Sequence, residues 1–123
     1  MNAAELAQAM LAAKADMDRT MSGYEQAIRR DAEANDISRR EVAKAFLRAR
    51  EHLSGKPTVD EVRAWVDVET AIVQREARMA EGLKRSGGMA VENARQWLSA
   101  LQSLGSLTRA EAQIAAYEPR EVA

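Results

Sequence analysis

The chain has 123 residues, 30% of them charged, and a net charge of −1 at pH 7, which allows one domain with a modest core. With no cysteine it lacks a disulfide framework, a thiolate metal site and a cysteine nucleophile, and its balanced charge gives no overall pull toward nucleic acid or membrane. The longest uncharged run, Gln96 to Thr108, is too short for a span of about 20 residues, and Met1-Asn2-Ala3-Ala4-Glu5 lacks the basic start of a secretory signal, so a cytoplasmic location is expected.

No stretch alternates like a strand, and abundant alanine favours helix throughout. Helix starts are marked by a capping residue followed three positions later by glutamate: Asn2/Glu5, Ser38/Glu41, Thr58/Glu61 and Thr108/Glu111. Stops are marked by Asn35-Asp36, Gly55, Gly87-Gly88, Gly105 and Pro119. The expected architecture is all-α: an elongated bundle of about five helices near 3–34, 39–53, 59–86, 89–104 and 109–117. It forms a single domain over 1–118 with a disordered tail at 119–123.

The first helix carries an apolar stripe of Leu6, Met10, Ala13, Met17, Met21, Tyr24 and Ile28, confined to an arc of roughly 80° on one face. The spacing repeats after 11 residues, so a helix lying on it runs nearly straight or slightly right-handed. Ser22/Glu25 also fits the capping pattern and Gly23 is a poor helix residue, which would split the segment in two. The stripe crosses Gly23 without losing phase and favours one helix. Three methionines make the seam adaptable. These residues are candidates for self-association as a homodimer or for docking other helices of a monomer, and the residues leave both open.

The second helix has an expected buried stripe of Val42, Ala45, Phe46, Ala49 and Leu53. Its far side carries Arg40, Lys44 and Arg48 at i, i+4 and i+8, with Leu47 pointing outward among the charges. Together with Arg39 these are the candidate residues for binding a partner or nucleic acid.

The run from Ala32 to Phe46, including Asn35-Asp36-Ile37-Ser38-Arg39-Arg40, resembles the core of a helix-turn-helix DNA-binding motif. Asp36 stands where that family usually has glycine, a departure that Asp tolerates through the left-handed conformation. The resemblance implies Arg39, Arg40 and Lys44 near bases or phosphates, Arg29, Arg30, Arg48 and Lys56 on further phosphates, and Val42 and Phe46 as inward anchors. The segment Arg29 to Lys56 holds eight basic and five acidic residues, a thin excess for DNA.

The third helix is expected to bury Val62, Trp65, Val66, Val68, Ile72, Val73, Met79, Ala80 and Leu83, with Glu69 and Glu76 near the middle of that face. Two carboxylates there read either as an acid–base or metal pair, or as members of a cross-helix salt bridge or of a face divided between two partners. The lone histidine, His52, offers no ligand pair. Ser54-Gly55-Lys56-Pro57-Thr58 resembles the end of a phosphate-binding loop, but Arg50 and Pro57 occupy positions that the pattern reserves for Gly and Ser or Thr. Gly87-Gly88 reads as a turn. In the fourth helix Val91, Ala94, Trp97, Leu98, Leu101 and Leu104 form a core face, with Trp65 and Trp97 as the central packing anchors.

The residues therefore point to a small non-enzymatic adaptor or inhibitor that binds another protein through helical surfaces. Small inhibitors of phages and mobile elements share this size and lack of chemistry. The alternative is a dimeric helix-turn-helix regulator using residues 30–50. No cofactor, metal, membrane or small-molecule substrate is expected.

Overall fold

The computed structural model describes residues 1–117, and the tail expected over 119–123 lies outside the described residues. These residues are all helical, without sheet, and form three helices where about five were expected: α1 (Ala3–His52), α2 (Val59–Glu69) and α3 (Ala71–Tyr117). No helix among the described residues is long and apolar enough to cross a membrane.

Two of the expected helix starts are real. Asn2 accepts from the Glu5 backbone N–H at 2.8 Å while Glu5 accepts from the Asn2 N–H at 3.2 Å, opening α1. Thr58 and Glu61 form the same reciprocal box at 3.2 and 3.4 Å, opening α2. Between them the chain turns through Gly55, whose φ of +81° is a conformation that glycine adopts without steric cost.

The other expected boundaries are helix interior. At Asn35-Asp36 both polar side chains bond along the helix instead of turning it. Asn35 Nδ2 donates to the Asp31 carbonyl and carboxylate, each at 3.0 Å, and Asp36 pairs with Arg40 at 2.6 Å. Ser38/Glu41 therefore caps nothing. Thr108 likewise donates to the Leu104 carbonyl at 2.9 Å, one turn back inside α3. α3 also runs through Gly87, Gly88 and Gly105.

Conversely, the helix expected over 59–86 breaks at one residue, Thr70 (φ −109°, ψ 14°). Its buried hydroxyl donates to the Val66 carbonyl at 2.7 Å and accepts from Gln74 Nε2 at 2.8 Å. The side chain thus adds to the backbone bonds Thr70 N–H to Val66 and Gln74 N–H to Thr70, which run through the junction.

The described residues divide into two compact units, one of 1–23 with 88–117, the other of Tyr24–Gly87. In the first, Leu6, Ala13 and Leu101 are buried together, with Ala9, Met10 and Leu98 packed against them and Gly105 lying beside Leu6. In the second, Ala45, Ala49 and Val66 are the core, covered by Val42, Leu53, Val62 and Trp65. The Trp65 ring stacks on His52 with centroids 5.4 Å apart.

From the junction residue Thr70 into α3, burial follows Val73, Ala77, Ala80, Lys84, Gly87, Val91, Ala94, Leu98, Leu101, Gly105 and Thr108, alternating steps of 3 and 4. This is a seven-residue repeat, the spacing of a left-handed helix pair. On α1 the covered line is Leu6, Met10, Ala13, Met17, Thr20, Tyr24, Ala27 and Asp31, with the same alternation. The 11-residue phase expected for α1 is corrected on this point: after Met17 the covered positions are Thr20 and Ala27, while Met21 and Ile28 are exposed. Alanine or glycine holds seven of these positions: Ala13, Ala27, Ala77, Ala80, Gly87, Ala94 and Gly105.

Candidate functional site

The last turns of α1 and the length of α2 bring apolar and basic groups together within the Tyr24–Gly87 unit. Phe46, expected to be buried, is 41% exposed, because Ala45 and Ala49 take the inward positions against Val66. Leu47 beside it is 65% exposed, and Val59 at the start of α2 is also exposed.

Phe46 stands between two grooves. One, of about 280 Å³, is lined by Phe46, Leu47, Arg50, Pro57, Val59 and Val62. The other, of about 430 Å³, is lined by Asn35, Ser38, Arg39, Val42, Phe46, Arg63, Val66, Asp67 and Gln74. Arg39, Arg50 and Arg63 thus rim an apolar surface, and among the described residues none of the three is within ion-pair distance of a carboxylate. Asp67 is the one carboxylate lining these grooves, and it accepts from Gln74 Nε2 at 3.4 Å.

The basic residues singled out from the sequence do not act as one face. Arg39 lines a groove and Leu47 lines the other. Arg40 is held by Asp36 and Lys44 lies 3.4 Å from Glu41, both as exposed pairs along α1. Arg48 is exposed and lines neither groove. Val59, Arg63 and the outward Phe46 were missed. The pairing of Leu47 with a proline-led helix start was the available clue.

The helix-turn-helix arrangement needs a turn between two helices set at about 90–120°. Residues 32–46 are one unbroken stretch of α1, so that geometry is not formed.

Of the first-helix stripe, Leu6, Met10 and Ala13 pack with Leu98 and Leu101 of α3 in the first unit. Leu6 is buried, Met10 and Met17 are partly covered, and Met21 is exposed. In the other unit Tyr24 packs on Gly87, where an added Cβ would lie 3.3–3.6 Å from it, and Ile28 is exposed.

The sequence reading also missed Asp31, a buried carboxylate that accepts from Lys84 Nζ at 2.7 Å and from Asn35. Hydrogen bonding to Asp31 and its negative charge hold the Lys84 ammonium above its ordinary pKa.

Glu69 and Glu76 are both exposed, so neither pays the cost of a buried carboxylate. Among the described residues no group of three or more His, Cys, Asp or Glu side chains is placed to hold a metal ion. Trp97, expected as a packing anchor, is 56% exposed, and Leu104 is exposed with it. Val68, Ile72, Met79 and Leu83 of the expected third-helix face are exposed too, because Thr70, Val73, Ala77 and Ala80 take the covered line.

No protein-family model matches the chain, and comparisons with curated proteins and with solved structures give no significant match.

Proposed function

We propose that this chain is a non-enzymatic adaptor or inhibitor that docks an acidic, apolar segment of another protein on the Phe46–Leu47–Val59 surface. The observation that carries this reading is the exposure of three large apolar side chains at adjoining grooves rimmed by Arg39, Arg50 and Arg63. Exposed apolar side chains in a groove supply the hot-spot area of an interface. Arginines without a carboxylate partner favour carboxylates on the segment that fills it. The continuous α1 removes the turn that favoured DNA reading, and no observation stands in its place.

The test is affinity capture from the native host followed by calorimetry on the captured protein. Leu47→Asp and Arg39→Glu should each weaken binding, the former by about thirtyfold if Leu47 is a hot spot worth about 2 kcal/mol. Capture that survives Leu47→Asp and Phe46→Ala unchanged would contradict the proposal. So would DNA affinity with a steep salt slope that Arg40→Ala and Lys44→Ala reduce.

A further inference from the structure

The outer face of α3 within the first unit carries Ala90, Trp97, Ala100, Leu104, Leu107 and Ile114, all exposed. At 100° per residue they lie within an arc of roughly 120°, centred about 110° around the helix from the covered line. Their spacings are 7, 3, 4, 3 and 7, which read the same in both directions about position 102.

This palindrome has a physical consequence. A two-fold axis beside position 102 that sets α3 antiparallel against α3 of a second chain brings position i opposite 204 − i. Ala100 then meets Leu104, Trp97 meets Leu107, and Ala90 meets Ile114, so two of the three pairs set a small side chain against a large one. The interruptions match as well, because polar Asn93 meets Glu111.

A two-fold interface places every residue near its own copy or its register mate, so a run of like charges would repel. Here Gln96 to Thr108 contains no charge at all. The unit also needs cover. Its buried side chains larger than alanine are Leu6, Val91 and Leu101, while Leu11, Met89, Trp97, Leu104, Leu107 and Ile114 are exposed. A core this small supplies little stability by itself, and oligomerisation is one way of adding to it.

We infer that the chain forms an antiparallel homodimer through the Trp97–Leu104–Leu107 stripe of α3, with Ala100 of one chain seated against Leu104 of its partner. The stripe shares no residue with the Phe46–Leu47 grooves, so its test is independent of the proposed docking function.

Sedimentation equilibrium on the full chain tests this. The wild type should sediment at twice 13.6 kDa. Ala100→Glu and Leu104→Lys should each raise the dimer dissociation constant by about tenfold or more, and an equimolar mixture of the two should regain association, because the register sets the substituted positions opposite each other. Trp97→Glu and Leu107→Lys form a second such pair. Leu11→Lys, exposed on α1, should leave the dimer intact. Circular dichroism confirms that each variant remains helical. A wild type that is monomeric at about 100 μM, single variants that leave the dimer unchanged, or mixtures that fail to reassociate would each overturn the inference.

Discussion

Gly23 lies in the interior of α1, where alanine is favoured over glycine by about 0.8–1.0 kcal/mol. A Cβ built at Gly23 or Gly82 meets nothing within 4 Å, so the full propensity gain should appear as stability. Gly23→Ala and Gly82→Ala should each raise the urea midpoint by about 0.5 M, or the melting temperature by about 4 °C. Gly87 is different. A Cβ there would lie 3.3 Å from Tyr24 Cδ1 and 3.4 Å from Tyr24 Cα. The ring can swing aside but the Cα cannot, so Gly87→Ala should lose most or all of the gain. Gly87→Val should cost about 1–3 kcal/mol through overpacking. Urea unfolding followed by circular dichroism measures all four. A Gly23→Ala chain that is less stable would place a real turn at Ser22-Gly23, and a neutral Gly87→Val would refute the close approach of Tyr24.

Lys84→Met strips the buried Asp31 of its cation and should lower the urea midpoint more than Arg40→Met, whose exposed pair with Asp36 contributes about 0.3–0.5 kcal/mol. Because the folded-state pKa of Lys84 is raised, its contribution is complete below the unfolded value of 10.5 and is lost as pH rises through the folded value. A stability–pH curve should therefore fall above about pH 10.5 through this pair, and Lys84→Met should remove that part of the fall. Thr58→Ala removes the α2 capping box and should cost about 1 kcal/mol in urea unfolding. Thr70→Val keeps the shape but deletes both side-chain hydrogen bonds at the α2–α3 junction, and should cost about 1–2 kcal/mol by the same measurement.

Helix class was legible in the residues, and so was the turn between α1 and α2. Gly55, Pro57 and the Thr58/Glu61 box all signal the same boundary, and local chemistry decides it. The false boundaries arose where the same residue types serve the helix interior. Asn35 bonds back to Asp31, Asp36 reaches forward to Arg40, and Thr108 bonds back to Leu104. Gly87 reads as a stop, yet its lack of a side chain is what admits Tyr24.

The seven-residue repeat was hidden because its positions include Thr20, Asp31, Thr70 and Lys84, none of which registers as apolar. Meanwhile the large apolar residues Met21, Ile28, Trp97 and Leu104 lie off the covered line and drew the reading toward themselves. The same effect shaped the site. Leu47 was legible as outward from its neighbours on the wheel, whereas Phe46 is outward because two alanines pack the α1–α2 contact.

Whether Ala32 to Phe46 is a helix–turn–helix or one stretch of α1 decides between a DNA-reading turn and the groove surface at Phe46 and Leu47. Backbone Cα chemical shifts measured by NMR over residues 20–50 test this directly. Helical shifts running without interruption through Ser22-Gly23 and Asn35-Asp36 to His52 are the predicted result. Loss of helical shifts at residues 35–37 would contradict it.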